Sequence, residues 1–248
     1  MNTVATPEKT FTIQRASERY HADHGWLKSY HSFSFADYFD PQNLNWGALR
    51  VFNDDYIAAG TGFPTHPHRD MEIVTYVFSG QLEHQDSMGN SGVVGSGGVQ
   101  FMSAGTGVRH SEYATKDGGD LHLVQMWVLP GTLGAAPSYG QLDFTAEDRR
   151  NRWLPVASGI AGVQAPIALT QRASLQVARL ENHALAHAFA PQRYGFLFVA
   201  EGDVRVNGES LSAGDAVRTY GVDRLEIAGT GELVLWDVPG VDDSEATA

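Results

Sequence analysis

The chain has 248 residues and a formal net charge of −12. Its Lys and Arg are scattered instead of forming the concentrated basic footprint that phosphate recognition requires, so direct DNA or RNA binding is disfavoured. It contains no cysteine, which excludes disulfides, thiolate nucleophiles, iron–sulfur clusters and Cys-based zinc sites.

Any metal must be held by His, Asp, Glu or backbone oxygen, and ten histidines are available for that. No apolar run approaches the roughly 20 residues needed to span a bilayer. The N-terminal MNTVATPEKTFTIQ lacks the apolar core of a signal peptide. The expectation is a soluble, cytoplasmic protein with no membrane partner.

In chain order, an aromatic segment comes first, carrying Tyr20, Trp26, Tyr30, Phe33, Phe35 and Tyr38. It is expected to wrap a barrel, with His21, His24 and His31 bonded to backbone. Strand-like runs rich in β-branched and aromatic residues follow at Leu49 to Asn53, Glu72 to Phe78, Val99 to Met102 and Leu121 to Leu129. His84 follows a hairpin turn and is expected to be exposed. His122 falls on a strand with Val124 and Met126 on its own face.

Pro130-Gly131, Gly134 and Pro137-Ser138 then interrupt the pattern. The polar stretch from Thr145 to Arg150 predicts a short helix capped by Thr145. Arg149, Arg150 and Arg152 read as a solvated face or a linker anchor. Strands resume at Ser174 to Leu180, Gly195 to Ala200, Asp203 to Val206 and Leu233 to Asp237. Ser79-Gly80, Gly89-Asn90, Glu201-Gly202, Asn207-Gly208 and Ala213-Gly214 supply turn signals. Short strands at regular spacing predict an all-β sandwich or barrel.

The strand–glycine–strand stretch from Val77 to His84 is echoed from Val199 to Val206. Two related barrels follow from that echo, with units at 1–140 and 141–248, the second ending in a short polar tail.

The segment from Gly62 to Glu72 contains His66-Pro67-His68. Residues i and i+2 of a strand share a face about 7 Å apart. In a strand the two imidazoles project together, whereas near a turn they would simply be surface histidines. His110-Ser111-Glu112 repeats the spacing. Pairing the two segments would converge three imidazoles and one carboxylate, a set suited to a divalent transition ion such as Fe(II), Mn, Ni, Cu, Co or Zn.

These residues also carry a resemblance. His21 to Leu27, His31 to Tyr38, Thr65 to Glu72 and Ser103 to Glu112 resemble the pirin family, strongly over about 12–145 and loosely beyond. The resemblance implies a bicupin: two double-stranded β-helix (jelly-roll-like) barrels with metal in the N-terminal one only. It places the ligands on His66, His68, His110 and Glu112, with Fe(II) the expected ion. It also implies that Glu72, which matches the glutamate of the general cupin motif, is a strand residue and not a ligand. Gly97-Gly98 departs from the Gly-Asp frequent in relatives, which should alter only a turn.

In the second half no histidine occupies the matching positions from Ala188 to Arg193 or from Arg218 to Val222. His183 and His187 are expected at the surface, and this half reads as structural or as a partner surface. The family's activity implies a metal-dependent quercetin 2,3-dioxygenase-like oxidoreductase, with a small aromatic substrate and O₂. Glu112 would be ligand and catalytic base, and Phe52, Met71, Phe101 and Met126 would be pocket lining or, for most of them, core. The other reading is a metal- or redox-responsive regulatory protein that binds a protein partner. A sugar-isomerase-like or storage barrel is disfavoured by the pirin motifs.

Overall fold

A computed structural model of the chain describes residues 8–241. The expected polar tail lies largely outside them. The first half contributes β1 (Thr10–Gln14), β2 (Tyr20–Asp23), β3 (Leu27–His31), β4 (Leu49–Ile57), β5 (Gly62–His68) and β6 (Glu72–Ser79). It continues with β7 (Leu82–Asp86), β8 (Ser91–Val94), β9 (Val99–Ser103), β10 (Val108–Ala114), β11 (Leu121–Val128) and β12 (Ser138–Leu142). The second half adds β13 (Leu154–Ser158), β14 (Ile167–Ala168), β15 (Ser174–Ala188), β16 (Tyr194–Val206), β17 (Glu209–Ser212), β18 (Ala216–Tyr220) and β19 (Arg224–Val238). Helix among the described residues is confined to two 3-10 turns, Ala16–Glu18 and Glu147–Arg149.

The first barrel packs a sheet ordered β12-β9-β6-β11-β4-β3-β2 against a second ordered β5-β10-β7-β8. The other half repeats the first order as β1-β18-β16-β19-β15-β13-β14, with β17 on β16. Its second layer is made by the far halves of β15, β19 and β16. Those long strands bend at bulges between Leu180 and His183 and between Val199 and Glu201. Glu201-Gly202, expected to be a turn, is therefore a bulge within β16. The left-handed Gly202 (φ +80°) lies so near Thr230 that a Cβ would meet its carbonyl oxygen at 2.2 Å. Gly80, also left-handed with φ +81°, stands where the chain passes from β6 in one sheet to β7 in the other, so it is not a hairpin turn.

The expected boundary at residue 140 cuts through β12, and β1 also crosses it. β1 belongs to the second barrel's sheet, Thr10 lying opposite Tyr220 and Gln14 opposite Ala216. β12 closes the matching edge of the first sheet against β9. An open sheet edge leaves unpaired backbone groups, and the second barrel covers one of its edges with a strand taken from the N-terminal end of the chain.

Between the barrels lies a shared core. Phe52, Tyr76 and Met126 from the first meet Phe196, Phe198 and Trp236 from the second. The Phe52 ring centroid is 4.7 Å from Phe196 and 4.9 Å from Phe198, and Trp236 Nε1–H donates to Met126 Sδ at 3.0 Å. Phe52, Phe101 and Met126 are thus core, and Met71 packs against Ile73 and Met102.

Arg149 is buried, not solvated. Its Nε–H donates to Glu232 at 2.9 Å, and Glu232 also accepts from Tyr76 and Arg179. A guanidinium tolerates such burial only when paired. The short helix expected after Thr145 is a single 3-10 turn, Glu147–Arg149, before which Thr145 Oγ1 accepts Asp148 N–H at 3.3 Å while Thr145 N–H donates to Asp148 Oδ2 at 2.7 Å. Gly97 sits in the left-handed region with φ +81°, and a Cβ at Gly98 would meet Val94 at 2.3 Å, so the two glycines fix this turn.

Candidate metal centre

Period-two alternation carries the site. In β10 Val108, His110, Glu112 and Ala114 are buried while Arg109 is exposed, so His110 and Glu112 face the lumen. In β5 Pro67 is exposed and His66 and His68 turn inward beside them. Antiparallel pairing sets His110 opposite His66, and a bulge then brings Glu112 opposite Phe63. The three imidazole centroids lie 4.5–4.9 Å apart. One nitrogen from each of His66, His68 and His110 falls within 4.8 Å of the others, and His110 and Glu112 form a second such group with His84. The His/Glu cluster fits a single metal ion.

Hydrogen bonding fixes which nitrogens are free. His66 Nδ1–H donates to Pro64 O at 2.8 Å, leaving Nε2 with its lone pair. His110 Nε2 is buried without a partner, while its Nδ1 lies 3.4 Å from His84 Nδ1. His84 Nε2 in turn lies 3.3 Å from Asp86 Oδ2. Reading the protons outward, His110 donates to His84 and His84 to Asp86, which leaves His110 Nε2 as an orphaned acceptor inside the cluster. Such an acceptor suits a cation.

Burial first, then the neighbouring imidazoles His110 and His66, lowers His68 to about 4; Glu112 opposes this. Burial, His66 and His84 lower His110 to about 3. Both rings are neutral at physiological pH, the form a metal requires. Glu112 is buried with both oxygens engaged, Oε1 by Gln100 Nε2 at 2.6 Å and Oε2 by Gln125 Nε2 at 2.8 Å.

His84 was expected to be exposed. It is fully buried, stacked on Tyr139 at 4.2 Å, because position 84 shares the inward face of β7 with Leu82. Glu72 lies on the face of β6 opposite the lumen. It accepts Thr170 and Gln171 N–H at 2.7 and 3.1 Å, tying the first barrel to the loop before β15.

The cluster opens on a cavity of about 470 Å³. Trp26, Phe35, Phe63 and Trp127 form its aromatic walls, Trp127 standing edge-on to His68 at 4.8 Å. Its lining also includes Ser29, His31, Asn53 and Asp55 from β3 and β4. His31 Nδ1 and Asn53 Oδ1 are buried without partners. Burial, then the nearby His24, lowers His31 to about 4. Burial pushes the Asp55 carboxyl up to about 7, against a hydrogen bond from Ser29, with Asp54 and Glu112 adding to the rise. His24 and His31, expected to be bonded to backbone, line this cavity instead. The alternation of Leu27, Ser29 and His31 is the sequence signal that could have placed His31 inside. His122 stands apart, bonded to Asp54 at 2.8 Å and stacked on Tyr56 at 4.0 Å.

A family model described as Pirin matches residues 12–128, and one described as Quercetinase C-terminal cupin domain matches residues 156–236. The Pirin-like protein of Caulobacter vibrioides is 44% identical over 219 residues, covering 87% of this chain and 94% of its own. The chain belongs to the pirin family. Quercetin 2,3-dioxygenase of Escherichia coli is 42% identical over 233 residues, 92% of this chain and 99% of that protein. The structure of YhhW from Escherichia coli matches with a TM-score of 0.87 at 41% identity, covering 94% of this chain and 99% of that one. The bacterial pirin YhhW in complex with nickel(II) matches with a TM-score of 0.86, again at 41% identity, over 94% and 100% of the two chains.

Pirin membership agrees with the two stacked barrels and with the bicupin expected from the resemblance. In the second pirin barrel, His183 is exposed as expected. His187 is not a surface residue: its side chain is 10% exposed and lies 3.4 Å from Asp237.

Proposed function

We propose that this chain is a metal-dependent dioxygenase that cleaves a flavonol with O₂. His66, His68, His110 and Glu112 would hold one divalent transition metal, with Fe(II) the expected ion. The observation that carries the reading is the cavity: an aromatic slot of about 470 Å³ that ends on His66, His68 and the buried Glu112 carboxylate, with His110 in the same cluster. That size is usual for small-molecule sites. The quercetin 2,3-dioxygenase name of the 42% identical relative supports it.

When bound, the metal would supply Lewis-acid polarisation of a chelating hydroxyl and carbonyl and a place for O₂. The chain's own residues do the rest. Phe63 and Trp127 flank the opening to the histidines and orient a planar ring. His31 Nδ1 and Asn53 Oδ1, unpartnered in the cavity lining, offer polar contacts to ring hydroxyls. Gln100 and Gln125 aim the Glu112 carboxylate, which accepts the flavonol hydroxyl proton. Asp86 and His84 hold the His110 tautomer while that proton moves. Both oxygen atoms enter the product as the ring opens and carbon monoxide leaves.

Protein reconstituted with Fe(II) should consume O₂, bleach flavonol absorbance and release CO. Glu112→Gln sets an amide against one of two Gln donors, a conflict that Gln100 or Gln125 relieves by turning its own amide. A Glu112→Gln protein with full metal occupancy and undiminished turnover would eliminate the base role. No turnover with any of the candidate ions would eliminate the flavonol reading and leave the regulatory one.

A further inference from the structure

The second barrel has a mouth of its own, a cavity of about 900 Å³. Strand register shows what replaced the metal centre there. The strand–glycine–strand echo aligns Val77 with Val199, and cross-strand pairing carries the match outward. Ile73 pairs with Trp127 where Gly195 pairs with Asp237, and Gln125 pairs with Asn53 where Leu235 pairs with Gln176. On the other layer, Glu112 pairs with His84 and Ile227 with Val206, while His110 pairs with His66 and Leu225 with His187. His187 therefore stands at the position of His66. Leu225 and Ile227 take the places of His110 and Glu112, and neither can ligate.

What remains is a built polar site. His187 Nδ1 lies 3.4 Å from Gln176 Nε2, and its Nε2 lies 3.4 Å from Asp237 Oδ2. Arg193 Nε–H donates to Asp237 Oδ1 at 2.5 Å, and its Nη2 donates to the carbonyls of Arg172 and Asp237 at 2.8 and 2.9 Å. Arg193 Nη1 makes no hydrogen bond among the described residues. Ser174, 1% exposed, lines the cavity with its Oγ unpartnered. Two arginines, Arg172 and Arg193, line the cavity against one carboxylate, Asp237, so the described lining carries an excess of one positive charge in a chain of net −12. Tyr194, Tyr220, Ile160 and Val163 complete the walls with aromatic and apolar surface.

We propose that this mouth is a second, metal-independent binding site, which takes a small organic carboxylate with an aromatic or apolar body. Free guanidinium N–H and the Ser174 hydroxyl receive the carboxylate, and the Tyr194 and Tyr220 side holds the body. Asp237 and His187 position Arg193 and Gln176, and the site is independent of the flavonol chemistry in the first barrel.

The test is fluorine NMR of a fluorobenzoate titrated into the full-length, metal-loaded protein, with the neutral fluorobenzamide as control. Saturable binding of the acid and not the amide is expected. It should persist in His66→Ala/His68→Ala, weaken several-fold in Arg172→Gln and at least about tenfold in Arg193→Gln/Asp237→Asn. The paired variant avoids leaving Asp237 buried without its cation, and its fold is checked by circular dichroism. Absence of saturation up to about 10 mM, where only the weakest affinities lie, would overturn the proposal. So would equal binding of the amide, or full binding by the folded paired variant. Loss of binding in the His66→Ala/His68→Ala protein alone would place the probe in the first barrel and equally defeat the idea.

Discussion

At the scale of single residues, the centre depends on side chains beyond the four proposed ligands. His84 accepts from His110 and passes the polarity to Asp86. Replacing His84 with Phe keeps a ring against Tyr139 but leaves His110 Nδ1–H without an acceptor. Metal affinity should fall about 10- to 100-fold, the usual cost of losing such an outer partner, as measured by chelator competition. His31 provides a pH test. The unfolded chain takes a proton on this ring near pH 6.5, whereas burial delays it to about 4 in the folded protein. The unfolded state therefore binds more protons in that window, and stability falls as the pH falls through it. His31→Phe should show a smaller drop in urea midpoint between pH 7 and pH 5 than the parent protein; an unchanged difference would contradict the assignment. The four candidate ligands were visible in the sequence because the i, i+2 spacing of His66/His68 and His110/Glu112 is a local property of a strand. His84, Gln100, Gln125 and Asn53 were not, since each reaches the site through pairing across strands distant in sequence.

At the scale of elements, the docking of β1 on the second barrel's sheet decides where the barrels begin. β1 is fastened at its end by Asp215, which accepts Ala16 N–H at 2.9 Å, Arg15 Nη1 at 2.7 Å and Ser212 N–H at 3.1 Å. Asp215→Ala removes all three bonds and strands the Ser212 and Ala16 donors. A loss of about 2–3 kcal/mol is expected from urea denaturation, with faster hydrogen exchange in β18 as β1 frays from it. Retained protection of β18 would show that β1 docks through its ladder alone. The TFTIQ run reads plainly as a strand, but nothing local names β18 as its partner. The long strands failed differently. Glu201-Gly202 carries the composition of a turn, and only the close approach of Thr230 turns that glycine into a bulge within a continuous strand.

For the whole molecule, the echo between Val77 to His84 and Val199 to Val206 pointed to two barrels, yet it could not show that their facing sheets form one core. Phe52, from the first barrel, is fully buried against Phe196 and Phe198 of the second. Phe52→Ala should cost about 3–5 kcal/mol, and it opens the interface as much as either barrel. Glu72 and the Tyr76–Glu232–Arg149 cluster bind the halves through buried polar groups, which are costly to separate because each partner would be left unpaired. The two barrels should consequently unfold in one transition. A metal held in the first barrel would then stabilise both, since a ligand that binds only the native state adds about 2.7 kcal/mol when present at 100 times its Kd. Hydrogen exchange with and without Fe(II) checks this. Slowly exchanging amides of β16 and β19, far from the histidines, should gain the same protection as those of β6 and β11. Protection confined to the first barrel would mean that the shared core yields before either barrel does, and that the second folds on its own account.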